Sequence, residues 1–472
     1  MTDAKQHPAW LYVLFPAIAM ILGWGLRGTI GGGPYGALIP GVFVALSLAL
    51  LLGYRKETAA MAALFGAVGI GYGGNMTYGQ TLGFLRETDT IYWGLLGCLV
   101  KGAVWGLLGG TVLGVGLARD HYDRKTVAQA FLLAIPAFLL GLLLINEPKL
   151  IYFSDRVNEP RDESWAGLLF AALAILAFLR ARGSKKAFEI PLRFALWGAV
   201  GGGLGFGGGC LWLAFGKYIP VDQKIIGWWK MMEFSFGFIF GAALGWCAWL
   251  NRARLQEAGQ HGAVPPMAWG PCIGFIAYVA ALFGGYMLLG QLLPEGFGDR
   301  EGAMALIART ALSLLFGYVL FATVAIVLGL HSLQAAWQVA ITMTFFHTVL
   351  DYTRDLSDAG RFGYTLSGAG QLIVLVVCCA IVGGLSWRFM RGPNTVQRQF
   401  LLVLWACYLT ACVRAFGHKD FFFPPEGKSA LDYIFQDHPG LIFVHGTFTV
   451  TAIITTGFIL TRFSDSAARP AA

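Results

Sequence analysis

Charge is what this chain has least of. Only 13% of its 472 residues are Asp, Glu, Lys or Arg. No polar connection between its apolar runs approaches the ~50 residues that the smallest independent domains need. That excludes a soluble ATP-hydrolysing or nucleic-acid-reading domain. The net charge of +8 does not restore a nucleic-acid role. The basic residues are scattered singly and in pairs among the connections and form no stripe. The eight cysteines (Cys98, Cys210, Cys247, Cys272, Cys378, Cys379, Cys407, Cys412) all lie within apolar runs, and none has C-x-x-C spacing. A disulfide framework, a zinc knuckle and haem attachment are excluded on that ground. H-E-x-x-H is missing too, so the sequence implies no metal and no cofactor. The apolar runs show none of the period-two alternation of a membrane barrel. No small-residue cleavage site follows the first run, and the expectation is a retained span.

What remains is overwhelmingly apolar. Hydrophobic residues make up 57% of the chain, and mean hydropathy is +0.64. A helix needs roughly 20 mostly apolar residues to cross the hydrocarbon layer, and only helices and closed barrels satisfy their backbone there. The expected class is therefore all-α, a polytopic transmembrane helical bundle in a lipid bilayer. About fourteen spans are expected at this length criterion, at 10–27, 36–53, 59–76, 92–118, 128–146, 165–180, 191–215, 228–250, 267–292, 303–330, 335–353, 369–387, 399–416 and 441–461. One set of connections holds Lys5, Arg55–Lys56, Arg119, Arg124, Lys125, Arg180, Arg182, Lys185, Lys186, Arg252, Arg254, Arg388, Arg391, Arg398, Arg462 and Arg469. The other set carries most of the acidic residues, including Glu147, Asp155, Glu159, Asp162, Glu163, Asp299, Glu301, Asp355, Asp358, Glu426, Asp432 and Asp437. By the positive-inside rule both termini are expected in the cytoplasm, for a chain of the bacterial inner membrane.

Glycine patterning suggests internal repetition. Gly66-Ala-Val-Gly-x-Gly-x-Gly73 recurs as Gly198-Ala-Val-Gly-x-Gly-x-Gly205, and Gly106, Gly110 and Gly114 recur as Gly237, Gly241 and Gly245. A fainter third copy relates Met76-Thr77-Tyr78-x-Gln80-Thr81 to Met343-Thr344-Phe345-x-His347-Thr348. Three parallel four-helix units at 10–125, 126–257 and 265–391 are expected, followed by a terminal helix pair at 399–461. Gly201–Gly209 superficially matches a phosphate loop, but it follows no strand. In a span, clustered glycine means close packing, or an unwound segment lining a pathway.

Polar residues inside lipid are expensive, so their placement carries the functional argument. Nearly all fall at the ends expected to face outward: Arg27, Asn75, Gln80, Trp212, Lys230, Glu233, His347, Asp351, Arg354, Arg414 and His418, with Lys101 deeper in its span. Lys230 and Glu233 are three apart on one helix face and can neutralise each other. His347 and Asp351 are four apart; a carboxylate holding an imidazole suits proton transfer, or simply locks two helices together. His418 and Asp420 end on the same side. These residues form the expected substrate-binding set. Two readings follow: a secondary transporter, proton-coupled through Glu233, His347 or Asp351, for a small polar or amphipathic solute; or a membrane-embedded transferase or hydrolase acting on a lipid-linked or periplasmic substrate at the outer face. The repeats favour the first, and the one-sided placement of His, Asp and Arg favours the second. A midplane cavity reached by Lys101 and Glu233 would support transport; a closed outer bowl would support catalysis.

Overall fold

A computed structural model describes residues 7–155, 161–259, 265–292, 308, 310–312, 314–358 and 363–463. Lys5, Glu159, Asp299, Glu301 and Arg469, and residues 303–307, 309 and 313 of the tenth expected span, lie outside them. The described residues are helical and contain no strand. The long helices are α1 (Ala9–Ile30), α2 (Leu38–Leu51), α3 (Lys56–Gly73), α4 (Ile91–Leu117), α5 (Arg124–Gly141), α6 (Trp165–Arg182), α7 (Lys185–Gly209) and α8 (Trp228–Leu250). After these come α9 (Trp269–Leu292), α10 (Tyr318–His331), α11 (Leu333–Gln338), α12 (Thr344–Asp355), α13 (Gly368–Met390), α14 (Thr395–Phe416) and α15 (Gly440–Arg462).

Among the described residues, 11 helices are long and apolar enough to cross a membrane. Three other expected spans are helical but fall short of that measure. Helix α3 is rich in Gly and Ala and opens on Lys56 and Glu57, α10 is 14 residues long, and α11 and α12 are joined through a π turn at Val339–Met343. The result is a helical chain compatible with a multi-pass integral membrane protein.

Burial separates the core from the rim. The apolar stretch of Gly33–Leu51 is 89% buried within the protein, whereas that of Gly368–Met390 is 6% buried. On α13, Leu372, Ile373, Val376 and Ile381 stand open. An apolar face of that extent is the kind of surface that lipid tails cover.

Glycine sets the central helix crossings. The most extensive packing joins α4 to α7 and α1 to α8. A Cβ on Gly106 would lie 1.8 Å from the Gly198 carbonyl oxygen, and one on Gly110 would lie 2.1 Å from that of Phe194. In α8, a Cβ on Gly237, Gly241 or Gly245 would lie 2.3, 2.6 or 1.8 Å from the carbonyl oxygens of Met20, Pro16 and Tyr12. Both glycine triplets thus bring backbones together as small-residue contacts do in lipid. The glycine runs of α3 and α7 remain helical to Gly73 and Gly209, so unwinding is not their use. The helices loosen instead at π turns over Leu142–Asn146, Val339–Met343 and Tyr433–Asp437.

Candidate functional site

The C-terminal end of α1 is where the polar side chains meet. Its last turns are built from small residues, which lets neighbouring helices approach. A Cβ on Gly25 would come within 2.5 Å of both Phe448 of α15 and Phe234 of α8, and one on Gly28 would lie 1.9 Å from Glu233 Oε1. The chain then turns sharply at Gly31 (φ +142°) and Gly33 (φ +66°), conformations that side-chain-bearing residues rarely adopt. The inner side of Gly31 faces His347 of α12.

Two cations reach carbonyls of this helix end: Arg414 the Thr29 carbonyl, left unpaired in the last turn, and Lys230 the Gly25 carbonyl one turn earlier. Lys230 Nζ donates to Glu233 Oε2 (2.6 Å), Thr29 Oγ1 (3.0 Å) and the Gly25 carbonyl (3.3 Å). Glu233 also accepts from Trp229 Nε1 at 2.9 Å. Arg414 of α14 donates to the Thr29 carbonyl and to Asp355, and reaches Asp351 Oδ2 at 3.1 Å. These ion pairs tie α1, α8, α12 and α14 together.

Arg27 differs from both. It is only 4% exposed. Its Nη1 donates to the Tyr78 hydroxyl at 2.7 Å, and its guanidinium lies 5.2–5.9 Å from the ring centres of Trp24, Tyr78 and Trp105. Its Nε is buried with no acceptor, and among the described residues no carboxylate pairs with it. A desolvated cation–π contact is worth about 2 kcal/mol, and a helix C-terminus at most ~2 kcal/mol. Burying a cation costs several kcal/mol, and each unsatisfied donor adds about 1–3 kcal/mol. Arg27 is the least compensated charge of the group. Counted together, Arg27, Lys230 and Arg414 balance Glu233, Asp351 and Asp355, but the carboxylates all engage Lys230 or Arg414.

Two imidazoles, a buried His445 and a half-buried His347, complete the cluster. His347 and His445 each have a buried Nδ1 with no hydrogen-bond partner. Asp351, Arg354 and Arg27 lie near enough to His347 to act on it, and Lys230 near enough to His445. The expected His347–Asp351 hydrogen bond gives way to the Arg414–Asp351 pair, because the guanidinium offers the carboxylate a charged donor.

Comparison with protein-family models, curated proteins and solved structures finds no match. The site is therefore characterised by its chemistry alone.

Of the remaining expected residues, Arg354 borders this cluster and the others lie apart from it. Lys101 is sealed: its Nζ pairs with Glu163 at 2.7 Å and donates to Thr81 Oγ1 (2.8 Å) and the Thr77 carbonyl (2.6 Å). Glu163 also accepts from Ser154 Oγ and the Phe153 N–H, so the pair fastens the segment before α6 onto α4. Among the described residues, Lys101 and Glu233 belong to separate hydrogen-bond networks. Asn75 offers its carbonyl to Ser164, and Gln80 Oε1 accepts from the Asp155 N–H. Trp212 donates to Ser235 and stacks on Trp228. Arg354 is exposed at the end of α12. His418 caps its own turn through the Asp420 N–H and lies against Tyr433. Thr29, Tyr78 and Asp355 belong to the cluster, yet sequence gives them no mark beyond lying at span ends. His445 is the first polar residue of the last span. Glu163 has no spacing relation to Lys101 at all.

Proposed function

We propose that this chain is a multi-pass secondary transporter for a small polar or amphipathic solute. On this reading it has about fourteen spans in parallel repeats, with both termini in the cytoplasm and the α1 cluster facing outward. One observation carries it. Ion pairs at the end of α1 link helices far apart in sequence, and such pairs can be exchanged for contacts with a solute. Glu233, Asp351 and His347 are the groups available for proton coupling. The second reading, a membrane-embedded enzyme acting on a lipid-linked substrate, is favoured by a specific fact: Lys101 is closed by Glu163, and the polar groups gather at one end.

The test begins with a thermal-shift screen of solutes on purified protein, since a ligand that binds only the folded state raises its melting temperature. A hit from this site loses its effect in Asp351→Asn and Glu233→Gln; one that stabilises both variants as well as wild type rules out the site. Hits are then offered to proteoliposomes preloaded with the same unlabelled solute. Accumulation of label supports transport, whereas recovery of chemically altered solute supports the enzyme reading.

A further inference from the structure

We infer that Arg27 is the recognition point for an oxyanion, the carboxylate or phosphate group of the solute. This rests on the reading of the α1 end as a solute site and narrows the class of solute. Three observations carry it. First, the guanidinium is buried and has no carboxylate partner among the described residues, whereas the neighbouring Lys230 and Arg414 are paired. Second, a guanidinium presents five N–H donors in a planar fork; here one is taken by Tyr78, and the buried Nε has no acceptor. The fork geometry matches two oxygens of a carboxylate or phosphate. Third, the backbone above Arg27 is stripped of side chains. Gly36 packs against the Arg27 stem, while Gly32 and Gly33 border open space. The Gly31–Gly36 turn beside the Arg27 stem carries only two bulky side chains, Pro34 and Tyr35. The Cδ2–Nε2 edge of His347 lies against Gly31.

The aromatic box fits this role. Trp24 and Trp105, whose ring centres are 5.1 Å apart, stand side by side on one side of the guanidinium. Their proximity also supplies an optical readout.

The experiment uses the purified full-length protein with sodium phosphate, glycerol 3-phosphate and sodium propionate as probes, each against sodium chloride at equal ionic strength. Melting temperature and tryptophan fluorescence are followed. The expected result is saturable stabilisation by at least one oxyanion, with Kd weakened about tenfold or more in Arg27→Gln, the loss of one charge-assisted contact. Arg27→Lys, which keeps charge but not the fork, should fall between. Ligand-free Arg27→Gln should melt no lower than wild type, because an uncompensated charge has been removed. The inference is overturned if no probe exceeds chloride, or if Arg27→Gln binds as wild type does. Should Arg27→Gln fail to fold, wild type and Arg27→Lys decide alone: equal binding by both overturns the fork. Nanodiscs of phosphatidylglycerol against phosphatidylcholine separate the two sources. Protection by the anionic lipid alone assigns the oxyanion to a headgroup, and protection by soluble probes assigns it to a free solute. Binding that persists while counterflow fails would remove transport and leave the oxyanion site standing.

Discussion

Lys101 and Arg27 are both cations withdrawn from solvent, and their partners set them apart. Lys101 has a carboxylate at 2.7 Å and two oxygen acceptors; Arg27 has a hydroxyl and three rings. Removing one partner of a buried pair leaves the other charge unpaired, at a cost of about 3–5 kcal/mol. Glu163→Gln should therefore lower the melting temperature clearly, and Lys101→Met should do the same. The double variant Lys101→Met/Glu163→Leu should recover much of the loss, because an apolar pair carries no desolvation penalty. Thermal unfolding of the three proteins checks this; a double variant no better than the singles would mean that the pair does more than fasten the segment before α6. The depth of Lys101 was legible from its position within an apolar run. Its partner was not, since Glu163 is one of many acidic residues in connections and only the fold brings it to α4.

At the scale of elements, glycine acts through contact rather than flexibility. Gly198 and Gly208 both lie in α7, yet a Cβ on Gly198 would meet the Gly106 carbonyl oxygen at 2.1 Å, whereas one on Gly208 meets nothing within 4 Å. Gly198→Ala should destabilise by about 1–3 kcal/mol through overpacking against backbone. Gly208→Ala should be neutral or stabilising by up to about 1 kcal/mol, as expected for a helix interior. Melting curves compared side by side test the pair, and equal effects would show that helix propensity, not the α4–α7 crossing, decides. The recurring glycine spacing was visible in the sequence because close approach needs a small residue about once per turn. Which helix each triplet would meet was not visible: α4 turns its glycines to α7, and α8 turns its own to α1. Helix ends were legible where Gly or charge punctuates the apolar run, as at Gly31 and Arg55. Inside Leu333–Asp355 no Gly or Pro marks the π turn.

For the whole molecule, the arrangement of polar groups matters more than their number. Arg27, Lys230, Glu233, His347, Asp351 and Arg414 were all marked by lying at span ends of one side. The fold brings these six together because α1 is gripped by α8, α14 and α15 around its small-residue end. Asn75, Gln80, Trp212 and His418 carried the same mark and serve other contacts, because a span end fixes depth in the bundle but not direction around it. The other end holds a separate set of ties, among them Tyr54 to the Leu117 and Leu255 carbonyls and Lys186 to Glu257. Between the two ends, glycine contacts draw α4 onto α7 and α1 onto α8.

The most direct measurement is thiol accessibility in intact cells. Gly32 and Arg55 lie at opposite ends of α2, and both are exposed. With an outward-facing site, Gly32→Cys should react with a membrane-impermeant maleimide in unbroken cells, and Arg55→Cys only after permeabilisation. Labelling of Arg55→Cys alone in unbroken cells would turn the molecule over and place the oxyanion site on the cytoplasmic side.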